Sequence, residues 1–132
     1  MPRMFRIMKR DDDGMPKVGE SATTLGVRAH EVDLDADGNA IPGDKGMSVN
    51  PRWQDAPLSM IPKRFGTGGR GSDTNFCFCR GEGEFKQGPC GPGLELLPDS
   101  PTHGIVRPAA LTPRAMFVAA LHATRSEWVV DE

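Results

Sequence analysis

Three polar residues set into short apolar stretches carry the most chemical interest. Arg6 lies between Phe5 and Ile7, Ser48 between Met47 and Val49, and His103 just before Gly104-Ile105-Val106. A guanidinium can hold phosphate or ribose oxygens with a fixed fork of N–H donors. A serine hydroxyl both donates and accepts hydrogen bonds, and an imidazole can orient a substrate or exchange a proton. Taken singly, each has an ordinary explanation: Arg6 as the solvent face of a strand, Ser48 as a turn hydroxyl, His103 as a loop histidine.

Other sets compete with this one. Cys77, Cys79, Cys90 and His103 offer four ligands that suit zinc. The paired Cys-x-x-Cys knuckles of structural zinc sites are missing, so two buried strand thiols and one loop thiol are the favoured reading, with no metal. A Cys–His nucleophile would need one of the three cysteines to meet His30, His103 or His122, and no local signature supports a pairing. On its helix, His122 lies off the apolar stripe and is most simply solvated. Asp33, Asp35, Asp37 and Gly38 copy the start of a calcium loop, but Asp44 stands where the closing glutamate is required. A hairpin turned at Asp37-Gly38, with Val32, Leu34 and Ile41 facing the core, accounts for the same residues. The glycine-rich segment 66–73 lacks the Gly-Lys-Ser/Thr ending of a phosphate loop. It reads as a mobile loop in which Arg70 and the backbone amides could still meet a phosphate.

The elements that position these residues follow from patterning. At 132 residues the chain fits one domain, 1–132, and its 16 Gly and 12 Pro demand many turns. Alternating apolar and basic residues from Arg3 to Lys9 predict a half-buried strand. Further strands are expected at 45–49, 75–80, 94–97 and 104–107, with turn-rich chain from 81 to 93 and a turn over 98–101. Thr112 as cap and Pro113 at the first position open one amphipathic helix, 113–128. Its stripe is Met116, Phe117, Ala120, Leu121, Thr124 and Trp128. The fold class is therefore α+β: mainly short antiparallel strands with one C-terminal helix.

The formal charge of -2 gives no general attraction to polyanions, so nucleic-acid binding is not favoured. No apolar run approaches the ~20 residues that span a bilayer, and the charged N-terminus has no apolar stretch behind it that would make a secretory signal. A cytoplasmic protein, or one delivered to a target cell without a signal peptide, fits both observations. Three cysteines, an odd number, are most simply reduced thiols.

The order Met4-Phe5-Arg6-Ile7, then Gly46-Met47-Ser48-Val49, then Thr102-His103-Gly104-Ile105-Val106-Arg107-Pro108-Ala109, then a helix ending at Trp128 resembles a bacterial toxin family. It is the "effector two" group of type VI secretion effectors, whose fold is related to ADP-ribosyltransferases. The match touches both ends and one central patch, and leaves 51–93 largely unmatched. The resemblance implies a split-sheet ADP-ribosyltransferase-like core, NAD as cofactor, an intracellular target, and a cognate antitoxin or immunity protein as partner. Arg6 would hold the dinucleotide, with Ser48 hydrogen-bonded to the ribose or to the catalytic acid and His103 orienting substrate. Transferases of this fold use a glutamate near a late strand to stabilise charge developing on the ribose. Here Arg107 occupies that stretch, Met47 replaces the hydroxyl residue beside Ser48, and Glu95 is the nearest preceding carboxylate. The candidate catalytic residues are thus Ser48, His103 and Glu95, and the candidate cofactor-binding residues Arg6, Ser48 and Arg70. A non-catalytic protein-binding module on the same scaffold, and a small zinc-supported structural protein, are the alternatives.

Overall fold

Alternation at the N-terminus does give a strand, and it becomes the centre of the molecule. The computed structural model describes residues 1–132. Its strands, in chain order, are β1 (Met4–Lys9), β2 (Asn39–Ala40), β3 (Met47–Val49), β4 (Asn75–Arg80), β5 (Gly88–Gly91), β6 (Leu94–Ser100), β7 (His103–Pro108) and β8 (Thr112–Pro113). The helix α1 (Arg114–Ala123) and a last strand β9 (Val129–Val130) complete the chain.

Every pairing between these strands is antiparallel. One sheet has the order β1-β4-β9, a second β3-β7-β6-β5, and β2 pairs β8 apart from both. A single reciprocal pair joins the two larger sheets: Phe5 N donates to Asn50 O at 2.8 Å, and Asn50 N to Phe5 O at 2.9 Å. The architecture is mixed α and β, with mostly antiparallel strands in several sheets and one C-terminal helix.

Strand β1 is not half-buried: Met4 to Met8 are buried on both faces. Met4 and Met8 enter a core of 16 buried residues that also takes Phe78, Leu96, Val106, Phe117 and Trp128. Phe5 and Ile7 enter a smaller core of 6, capped by Trp53, Met60 and Phe65 from the irregular segment after β3. That segment, rich in proline, covers the Phe5 and Ile7 face of β1, so neither face of the strand is left to solvent. Cys77 and Cys79 share the smaller core, while Cys90 lies in the larger one.

Several expectations need correction. The helix stops at Ala123, and Arg125–Glu127 forms a separate 3-10 turn. Thr124 ends it, since its hydroxyl donates to Leu121 O at 2.7 Å while accepting Trp128 Nε1–H at 3.0 Å. Thr112 does not cap it, because Thr112–Pro113 is engaged as β8. Phe117, Leu121, Thr124 and Trp128 are buried as the stripe requires, but Met116 is 62% exposed.

The turn at 35–38 forms, with Gly38 at φ +80° and Asp35 Oδ1 accepting the amides of Asp37 and Asn39. Val32 and Ala40 face the core, whereas Leu34 and Ile41 are 46% and 37% exposed. Pairing of Asn39–Ala40 with β8 sets that inversion: the small Ala40 takes the inward position. β5 arises within chain read as turns. Its Pro89 is tolerated because β5 is an edge strand, where a missing N–H leaves no ladder partner unpaired. β6 runs on through Pro98 to Ser100, with a register shift between those two residues. The 66–73 segment is tied down near its end, where Arg70 N donates to Leu58 O and Gly71 N to Ile61 O. No helix is long and apolar enough to cross a membrane.

Candidate functional site

Arg6 projects from β1 and is only 6% exposed. Its guanidinium makes no ion pair; it is held by main-chain carbonyls instead. Nε and Nη2 donate to Thr24 O at 3.1 and 2.8 Å, and Nη1 to Ser48 O at 2.7 Å. The Thr24 carbonyl is presented by a tight turn in which Ser21 N donates to Thr24 Oγ1 at 3.0 Å and Thr24 Oγ1 to Ser21 O at 3.2 Å. Burial pushes the Arg6 pKa down to about 10, opposed by the attraction of Glu31 and assisted by the repulsion of Arg28. The group stays cationic at neutral pH, and every hydrogen bond it makes within the chain goes to a main-chain carbonyl.

Ser48 sits at the centre of β3, opposite Ile105 of β7. Met47 and Val49 point into the large core, so alternation sends the Ser48 side chain the other way. Its carbonyl is committed to Arg6, but its hydroxyl has no partner within the chain. Gly46 sets this placement: a Cβ there would stand 2.2 Å from Val106 O. Only glycine lets β3 enter so close to β7.

His103 opens β7 across the bulge from Ser100. Its Nδ1 lies 2.7 Å from Asp99 Oδ1. With Nδ1–H donated to that carboxylate, Nε2 is the lone-pair nitrogen of the neutral ring.

Arg6, Ser48 and His103 line one cavity of about 220 Å3. Three elements from two sheets thus bring together residues that lie 42 and 97 positions from Arg6 in the chain, by subtraction of their residue numbers. Two further polar residues that the sequence did not single out line the same cavity, Arg28 and Asn50. Arg28 donates from Nε to Glu31 Oε1 at 3.2 Å and from Nη2 to Glu31 Oε2 at 3.3 Å, which leaves Nη1 uncommitted. The Glu31 carboxylate stays below its ordinary range: burial raises it, but hydrogen bonds from the Arg28 side chain and backbone outweigh that. Ala56, Pro57 and Met60 form an apolar wall. The lining holds two guanidinium groups and no carboxylate, although Glu31, just outside it, pairs with Arg28. The one signal for Arg28 in the sequence was its spacing to Glu31, a capping box on a single short turn.

The remaining candidates lie elsewhere. Glu95 shares the outward face of its sheet with Ser48, but two residues further along β6. Its Oε1 accepts Arg107 Nη2 at 2.7 Å and Nε at 2.9 Å, and it does not line the cavity. Arg70 is exposed on the glycine-rich segment and also lies outside. The three cysteines of the zinc set are divided between the two cores and His103 lies in neither, and no group of three or more His, Cys, Asp or Glu side chains is placed to hold a metal. Burial pushes the Cys77 and Cys90 thiols up to about 12 and about 11, so neither is a thiolate nucleophile at neutral pH. His122 is not solvated as expected: its Nε2 is buried without a partner, facing Gly26.

A larger cleft of about 450 Å3 lies beside the smaller core, between Trp53, Phe65 and Arg64. Trp53 and Phe65 meet edge to face at 5.0 Å, and Arg64 Nη2 donates to Glu132 Oε2 at 2.8 Å. Its cation is therefore already neutralised, unlike that of Arg6. Comparison of the chain with protein-family models, curated proteins and solved structures found no match in any of the three.

Proposed function

We propose that this protein is a toxin-like domain of ADP-ribosyltransferase type that binds NAD, or a related nucleotide phosphate, in the cavity of Arg6, Ser48 and His103 and modifies an intracellular target. One observation carries the reading. The three residues whose order in the sequence resembles the effector toxins converge on a single cavity with a cationic, carboxylate-free lining. At about 220 Å3 it is smaller than the ~300–1,000 Å3 of pockets that enclose a drug-sized ligand, so it suits the phosphate-and-ribose portion of a dinucleotide rather than the whole. Arg6 and Arg28 bind the anion, Ser48 hydrogen-bonds the ribose, and His103, steadied by Asp99, orients the reacting end.

The test is NAD binding by calorimetry together with nicotinamide release in the presence of cell extract. Binding and release, both abolished in Ser48→Ala, are expected. On intracellular expression the wild-type protein arrests growth and Ser48→Ala relieves the arrest; vigorous growth with wild-type protein counts against a toxin.

A non-catalytic binding module is the second reading, and Glu95 favours it. The only carboxylate offered for charge stabilisation is held by Arg107, away from the cavity. Absence of nicotinamide release from folded protein, with cell extract present, would select this protein-binding module.

A further inference from the structure

Asn50 follows β3 and is 8% exposed, yet it lines the cavity. Its backbone forms the reciprocal pair with Phe5, and its side chain does two separate things. Nδ2 donates to Thr102 O at 2.8 Å and to Asp55 O at 3.3 Å. Both partners are carbonyls, so the amide cannot be turned around: its NH2 must face them and its Oδ1 must face away. Both amide hydrogens are then used, and no donor in the chain reaches Oδ1. What Asn50 presents to a ligand is a bare acceptor fixed in orientation.

This acceptor is set among donors. Arg6 has one Nη1–H beyond its bond to Ser48 O, Arg28 has its free Nη1, and Ser48 has a free hydroxyl. A fully deprotonated anion such as sulfate could use the donors but would have nothing to give Asn50, and its lone pairs would meet those of Oδ1. A ligand that carries a phosphate and an O–H group satisfies both kinds of group at once.

We infer that Asn50 is a specificity-determining residue of the cavity, whose Oδ1 accepts a hydrogen bond from a ring hydroxyl of the ligand, so that the site selects a ribose phosphate over a bare anion. The inference rests on the proposed reading of the cavity as a phosphate site. A buried polar atom left unpaired by the wrong ligand discriminates strongly, by ten-fold or more.

Calorimetric titration of the full chain with sulfate, ribose 5-phosphate and tetrahydrofurfuryl phosphate, which has the ring but none of its hydroxyls, tests it. Ribose 5-phosphate is expected to bind at least ten-fold more tightly than the other two. Asn50→Ala should bring all three within about two-fold of one another. That variant also loses the bonds to Thr102 and Asp55, so its folding is checked by thermal unfolding; the ligand comparison on wild-type protein stands whether or not it folds. Equal binding of ribose 5-phosphate and tetrahydrofurfuryl phosphate overturns the role of Asn50 and leaves the phosphate site intact. No binding of any of the three, with Arg6→Ala indistinguishable from wild type, overturns both.

Discussion

Arg6 and Ser48 line the same cavity with opposite structural obligations, and this separates what their substitutions do. Arg6 satisfies the carbonyls of Thr24 and Ser48, so it is a structural residue as well as a ligand-facing one. Arg6→Lys keeps the charge but cannot reach both acceptors. A stability loss of about 1.5–3 kcal/mol is expected in urea unfolding. The Ser48 hydroxyl bonds to nothing in the chain, and Ser48→Ala should shift stability by no more than about 0.5 kcal/mol. Loss of ligand binding in that variant is then a site effect, not a folding effect. The cysteines give a third expectation. With thiols raised to about 12 at Cys77 and about 11 at Cys90, alkylation of these two at pH 8 should fail on native protein and go to completion in denaturant, as read by peptide mass spectrometry.

Elements show where the sequence was legible and where it was not. β1, β3, β4 and β7 carry alternating or β-branched and aromatic residues, and each lies within about two residues of its expected place. The short pieces were not readable. β9 is two residues long, and β5 is Gly-Pro-Cys-Gly; both form because a neighbouring strand offers an edge, not because their own residues favour extension. The helix was read five residues too long because Trp128 continues its apolar spacing after the backbone has turned. Burial of Arg6 was hidden for a related reason: the covering turn 21–24 and segment 53–65 have no periodicity of their own. Arg28 and Asn50 joined the cavity through tertiary placement, for which the sequence held no motif. Gly46 tests the element scale directly. Gly46→Ala places a Cβ against Val106 O and should cost about 1–3 kcal/mol by pushing β3 off β7, with ligand affinity falling alongside stability.

At the scale of the whole molecule, Arg6 is a buried cation in no direct ion pair, and that shapes the response to ligand and to pH. Its folded pKa is lowered to about 10, so carrying the charge opposes folding at every pH below that, and the penalty is relieved as pH rises from there toward the ordinary arginine range. A bound phosphate supplies the missing negative charge throughout the neutral range. At a hundred-fold excess over its dissociation constant a ligand adds about 2.7 kcal/mol, and a melting temperature several degrees higher is expected in a thermal-shift experiment. The reciprocal Phe5–Asn50 pair has a mechanical consequence as well. It is the seam between two sheets, and the cavity takes Arg6 from one side of it and Ser48 and His103 from the other. A ligand seated there acts as a bolt through a joint. Amide hydrogen exchange at Phe5 and Asn50 should therefore slow more on binding than exchange inside either sheet, because separation of the halves would first have to release the bolt.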